Sequence, residues 1–161
     1  ATMGNGHDTL FLCELAGKEG QVLAFDIQKQ ALESTRALLK SEGMEQKARL
    51  ILDSHENMAK YVDEASVDGI CFNFGYLPGS DHSLATKPES SKNAVIEGLR
   101  LLKKGGVMSL CIYSGGETGF EERDTLLAYL KSLDEKKYLV IVSAYYNRKN
   151  NPPIPVLIIK K

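Results

Sequence analysis

The two strand-like segments that end the chain constrain its fold most. Tyr138–Tyr146 and Val156–Ile159 are both apolar, and only Asn147–Pro155 lies between them. Joining parallel neighbours takes a crossover of roughly a dozen residues or more, usually helical. This connection has neither the length nor a helical pattern, and it carries Asn150, Asn151, Pro152 and Pro153. The two segments must therefore pair as an antiparallel hairpin. Upstream, strand and helix patterns alternate, which predicts an α/β fold with a parallel sheet. Val22–Asp26, Arg49–Asp53, Val67–Phe74 and Val107–Tyr113 read as strands. Gln28–Lys40 reads as a helix with Ala31, Leu32, Thr35, Leu38 and Leu39 at helical spacing, closed by Gly43. His55–Glu64 is a weaker helix. Val95, Leu99 and Leu102 mark another that stops at Gly105-Gly106, and Phe120, Leu127, Leu130 and Leu133 mark the last. A loop runs from Gly75 to Pro88.

A sheet that is parallel except for a terminal hairpin is the Rossmann-like arrangement of class I methyltransferases, whereas a dinucleotide-binding sheet is parallel throughout. The opening residues, Met3-Gly4-Asn5-Gly6-His7-Asp8-Thr9, point the same way. They read as a glycine-rich turn before a helix over Asp8–Ala16, the place where backbone N–H groups meet a nucleotide-type ligand. Gly4 and Gly6 fit a Gly-x-Gly-x-x-Gly pattern, but Thr9 fills the third glycine's slot and Asp8 stands beside the turn. A carboxylate there repels a pyrophosphate and suits a cation, so the turn favours S-adenosylmethionine, with its sulfonium and amino group, over NAD. Asp26 ends a strand 26 − 6 = 20 positions after Gly6. That is the spacing of the acid that binds ribose hydroxyls in nucleotide-binding α/β folds. Asp26 is equally placed to N-cap the following helix. A doubly wound sheet also needs a strand before the glycine turn, so an upstream segment with the first strand is expected to precede Ala1.

With 161 residues, 43% hydrophobic and 25% charged, the chain reads as a single globular domain over 1–161. No apolar run approaches the roughly 18 residues of a membrane span, and no signal peptide is expected. Cys13, Cys71 and Cys111 are odd in number, far apart and set in apolar stretches. Disulfide or metal use is therefore not expected, and a reducing cytoplasm is the simplest setting. A net charge of −1 excludes a globally basic surface, so an RNA partner would be gripped by a local patch.

In this fold ligands lie beyond the C-terminal ends of the strands. Asn73-Phe74-Gly75-Tyr76-Leu77-Pro78-Gly79 leaves the Val67–Phe74 strand, where amino-group methyltransferases carry Asn/Asp-Pro-Pro-Tyr/Phe. There the Asn oxygen and a backbone carbonyl accept hydrogen bonds from the target amine, and the aromatic ring packs on the substrate. Asn73 and Tyr76 are the candidates for those roles, with Phe74-Gly75 replacing Pro-Pro; a turn with Asn and Gly chosen for backbone reasons is the other reading. Cys71 and Cys111 lie inside strands as small hydrophobes, which argues against a covalent cysteine mechanism. Ser54 and His55 follow the Arg49–Asp53 strand at the adenine end of the cofactor, as ligand contacts or a helix cap. His7 either borders the cofactor or is simply exposed, and His82 with Asp81 is a surface residue by default, a base role being the other reading. Tyr145, Tyr146, Asn147, Arg148, Lys149, Asn150, Asn151, Pro152 and Pro153 mix aromatic, amide and basic groups. Such a mixture suits stacking on an exposed base and contact with phosphates, and equally suits a turn-rich loop.

Ala1–Thr9, Phe-Asp-Ile-Gln at Phe25, Asn-Phe-Gly-Tyr-Leu-Pro-Gly at Asn73 and Asn-Asn-Pro-Pro at Asn150 together resemble the small bacterial methyltransferases of the rRNA methylase group. The likeness spans essentially the whole chain. It implies methylation of the amine of 5-aminomethyl-2-thiouridine at the tRNA wobble position, giving the 5-methylaminomethyl form. It also implies S-adenosylmethionine contacts by Asn5, Asp8, Asp26, Gln28 and His55, with substrate near Asn73 and Tyr76. The partner would be the anticodon arm of tRNA, with a homodimer left open. Other readings keep the cofactor but change the substrate to rRNA, a protein amide or a small amine, or keep the fold without catalysis as a nucleotide-binding protein.

Overall fold

The structure, a computed structural model, describes residues 2–75, 86–114 and 119–161. These form two compact units, one of residues 2–55 and one of the remaining described residues. No described helix is long and apolar enough to cross a membrane.

The first unit contains α1 (His7–Leu15), β1 (Val22–Asp26), α2 (Lys29–Ser41) and β2 (Ala48–Leu52). β1 and β2 pair in parallel from Val22 opposite Ala48 to Asp26 opposite Leu52. α2 buries Ala31, Thr35 and Leu39, positions that recur every four residues and so share one stripe. Its N-cap is Gln28, in extended conformation. The expectation that Asp26 caps this helix is thus corrected. The Asp26 carboxylate instead accepts the Gln28 N–H at 3.0 Å in an Asx turn one step earlier. His55–Glu64, expected as a helix, is a 3-10 segment confined to His55–Lys60.

The second unit contains β3 (Val67–Phe74), α3 (Pro88–Leu101), β4 (Leu102–Ile112), α4 (Gly119–Lys131), β5 (Tyr138–Val142) and β6 (Ile154–Lys160). Its sheet runs β3-β4-β6-β5. β3 and β4 are parallel, and β6 lies antiparallel to both β4 and β5. The terminal hairpin is present as expected, but β5 ends at Val142 rather than Tyr146. Ser143 donates to the Pro155 carbonyl at 2.9 Å, and proline has no N–H to return, so the ladder closes there. Alternate residues of β3 (Ile70, Phe72, Phe74) and β4 (Met108, Leu110, Ile112) are buried. The rings of Phe72 and Phe74 stack with centroids 5.0 Å apart. Each such side chain contributes about 1.5–3 kcal/mol on burial. α3 lies directly on this face, since a Cβ at Gly98 would stand 2.6 Å from the Met108 methyl.

α3 stops at Leu101, before the expected Gly105-Gly106, and β4 begins at once. The reason is at the far end of the chain. Lys160 Nζ donates to the carbonyls of Leu99 at 2.9 Å and Leu102 at 2.7 Å, satisfying oxygens that the ending helix leaves without partners. Gly105-Gly106 serve an excursion within β4: Val67 pairs with Leu102 but Gly69 with Val107. Gly105 there takes φ +80°.

Candidate active site

In the first unit the opening turn has the backbone its glycines predict. Gly4 and Gly6 both adopt left-handed φ, +54° and +88°, a region costly for any residue with a Cβ. Gly6 N–H donates to the Met3 carbonyl at 3.0 Å, and the Gly6 carbonyl accepts from Leu10 N–H at 2.8 Å as α1 starts. Gly6 is also needed for space. A Cβ there would lie 2.8 Å from Thr35 Oγ1 and 2.9 Å from Thr35 Cα. Thr35, fully buried on α2, donates its hydroxyl to the Gly4 carbonyl at 3.2 Å. Helix α2 therefore holds the turn from behind.

Asp26 holds it from the side. One carboxylate oxygen accepts Gly4 N–H at 3.0 Å, and the other accepts Gln28 N–H at 3.0 Å. Gly4, Asp26 and Gln28 are thereby brought together. Each carboxylate oxygen has a second acceptor position beyond these bonds. Asn5 and Asp8 are exposed, and Asp8 sits in the first turn of α1, where the helix dipole favours an acid. Ser54 and His55 follow β2 and are half-buried, and Ser54 N–H donates to Asp53 Oδ1 at 2.7 Å. Burial lowers the His55 pKa to about 4, so its imidazole is neutral at physiological pH. A neutral ring offers one donor and one acceptor.

In the second unit Asn73 lies exposed at the C-terminal end of β3, opposite Cys111 of β4. Tyr76, the proposed aromatic partner, lies outside the described residues, as do Asp81 and His82. Gly75 N–H donates to Thr86 Oγ1 at 2.8 Å, and Thr86 N–H donates to the Gly75 carbonyl at 2.9 Å. The Glu122 carboxylate accepts the Ser91 and Thr86 hydroxyls. Glu122 is 1% exposed, and burial pushes its carboxyl pKa up, against the two hydroxyl bonds that pull it down. Sequence reasoning missed Thr86, Ser91 and Glu122. The signal available was an acid one helical turn before Leu126 and two before Leu130, on the apolar stripe of α4.

The hairpin connection exposes Tyr146 completely and Tyr145 by half. Asn147, Arg148 and Asn150 are exposed and Pro152 is half-buried. Asn150 and Asn151 take left-handed φ of +64° and +49°, which accounts for two of the amides by backbone need. Cys13, Cys71 and Cys111 form no disulfide among the described residues.

A glycine turn clasped by a strand-end acid, and a parallel sheet finished by an antiparallel hairpin, define the Rossmann-like class I methyltransferase fold. The profile of the family described as "Putative rRNA methylase" matches residues 22–159, and the chain belongs to that family. It is 36% identical, over 98% of its length, to the tRNA (mnm(5)s(2)U34)-methyltransferase, chloroplastic, of Arabidopsis thaliana, and spans 60% of that relative. Among solved structures, a "putative rRNA-methylase" from Clostridium thermocellum is 44% identical with a TM-score of 0.97, all of this chain covering 86% of that one. A "putative methyltransferase" from Streptococcus mutans, solved in complex with SAH, is 38% identical with a TM-score of 0.90, again with 100% and 86% covered.

Proposed function

We propose that the chain acts as one methyltransferase domain over residues 1–161. It uses S-adenosylmethionine to methylate the amine of 5-aminomethyl-2-thiouridine at the wobble position of tRNA, giving 5-methylaminomethyl-2-thiouridine. The observation that carries this reading is 36% identity, across 98% of the chain, to a protein named for the mnm(5)s(2)U34 methyl transfer. Asn73 at the exit of β3 supports it independently, because an amide oxygen there suits an amine substrate.

The first unit fits the cofactor. Gly4 and Gly6 bring bare backbone to the ligand, Asp26 keeps acceptor positions for the ribose hydroxyls, and Asp8 adds negative charge for a cationic ligand. Asn5, Gln28, Ser54 and His55 complete the proposed set. When bound, S-adenosylmethionine supplies an activated methyl group. This chain's task is then alignment, since methyl transfer is an in-line displacement in which positioning supplies much of the rate. Asn73 would accept a hydrogen bond from the amine and aim its lone pair, with Tyr76 packing on the substrate. Tyr146, Arg148, Asn147, Asn150 and Pro152 would meet the anticodon arm by stacking and phosphate contact.

The test is methyl acceptance from labelled S-adenosylmethionine by purified tRNA, rRNA and protein offered in parallel to the full-length protein. Label entering tRNA alone is the expected result. Label confined to rRNA or protein would overturn the substrate assignment while keeping the reaction.

A further inference from the structure

The exit of β3 is held by a hydrogen-bonded relay that ends on a buried acid. Gly75 and Thr86 exchange two bonds, Gly75 N–H to Thr86 Oγ1 at 2.8 Å and Thr86 N–H to the Gly75 carbonyl at 2.9 Å. A hydroxyl that accepts an N–H still has its own proton to give, and Thr86 gives it to Glu122. Ser91, fully buried on α3, donates to the same carboxylate. The first turn of α4, which carries Glu122, is seated hard against the end of β4: a Cβ at Gly119 would lie 2.9 Å from the Ser114 carbonyl carbon. A buried acid carries a desolvation cost that an apolar residue in its place would avoid. Leu126 and Leu130 continue the same buried stripe. What the acid adds is an acceptor for the Ser91 and Thr86 hydroxyls.

We propose that Glu122 is a positioning residue which, through Thr86, fixes the Gly75 bend at the exit of β3 so that Asn73, two residues earlier in the strand, meets the substrate amine in one orientation. This rests on the role given to Asn73 above. Glu122 acts through Thr86 and not by touching substrate or cofactor. Its effect reaches the reaction through the backbone at Gly75, two residues from Asn73.

Thr86→Val removes the hydroxyl with little change of shape, Thr86→Ser restores it, and Glu122→Met removes the acceptor from the other side. The readouts on the full-length protein are kcat on 5-aminomethyl-2-thiouridine tRNA, Kd for S-adenosylhomocysteine, and amide hydrogen exchange at Gly75. Misplacement by about 1 Å costs on the order of 100-fold, so Thr86→Val is expected to lower kcat by about 10–100-fold with Kd changed less than about twofold. Thr86→Ser should recover most of kcat, and the Gly75 amide should exchange faster in Thr86→Val and Glu122→Met. Wild-type kcat in Thr86→Val, or equal losses in Thr86→Val and Thr86→Ser, would overturn the proposal. Should Glu122→Met fail to fold, the Thr86 pair decides. If the wild-type protein leaves this nucleoside unmethylated, the substrate reading fails separately. Exchange at Gly75 then decides the relay, faster exchange supporting it and unchanged exchange overturning it.

Discussion

Replacing Gly6 by alanine should unfold the glycine turn for two reasons whose sizes can be separated. At φ +88° an L-residue occupies the left-handed region, which costs about 1–2 kcal/mol. The added methyl also meets α2, 2.8 Å from Thr35 Oγ1 and 2.9 Å from Thr35 Cα. The hydroxyl could turn aside, but the backbone of a packed helix cannot, so overpacking adds about 1–3 kcal/mol. The sum is about 2–5 kcal/mol, or a fall in Tm of about 5–15 °C for a domain of this size. Gly17→Ala is the internal control, because Gly17 has a similar φ of +69° with nothing within 4 Å of its added Cβ. It should lose only the conformational part, about 1–2 kcal/mol. Urea unfolding of both variants gives the difference directly. Gly6→Ala must be the more destabilised, and by more than about 0.5 kcal/mol, the ordinary scatter of neutral substitutions. Equal losses would refute the claim that α2 backs the turn.

Three further outcomes follow from the same geometry. Asp26→Ala frees Gly4 N–H and Gln28 N–H and should weaken S-adenosylhomocysteine binding by about tenfold or more, at about 1.4 kcal/mol per factor of ten; an unchanged Kd in a calorimetric titration removes Asp26 from the site. His55 titrates near 4 in the fold and near 6.5 unfolded, so below 6.5 the unfolded chain binds the extra proton and stability falls as pH drops toward 4. The stability advantage of wild type over His55→Gln should shrink by about 2 kcal/mol between pH 7 and pH 5, and a pH-independent difference in urea midpoints would show that His55 is not held neutral. Tyr146→Ala should leave the urea midpoint unmoved, the side chain being fully exposed, yet raise KM for tRNA by about 5–100-fold, as loss of one base–aromatic stack worth about 1–3 kcal/mol requires; an unmoved KM removes Tyr146 from the RNA contact.

Much of this architecture was legible in the sequence because it depends on local rules. Gly4 and Gly6 are placed by backbone conformation, and the hairpin follows from a connection too short for a helix. Contacts made across the fold were not legible. An acid at the end of a strand signals a ligand or a cap, but nothing local says that Asp26 ties down Gly4, 22 positions away. Lys160 reads as a solvated terminal charge, yet it closes α3 from 61 positions downstream. Glu122 was hidden by a wrong helical phase. Reading α4 through Phe120, Leu127, Leu130 and Leu133 puts Phe120 inside, whereas Phe120 is 46% exposed beneath the Arg123 guanidinium and the buried stripe is Glu122, Leu126 and Leu130. Packing chose the stripe, and it selected an acid over an aromatic because Ser91 and Thr86 supply donors there.

The measurement closest to the central claim is nucleoside mass spectrometry of bulk tRNA from cells lacking this activity, after incubation with the full-length protein and S-adenosylmethionine. 5-Aminomethyl-2-thiouridine should be consumed and its N-methylated form take its place, with Asn73→Ala abolishing the conversion while still binding S-adenosylhomocysteine. Unconsumed 5-aminomethyl-2-thiouridine in the presence of a cofactor-binding protein would contradict that claim.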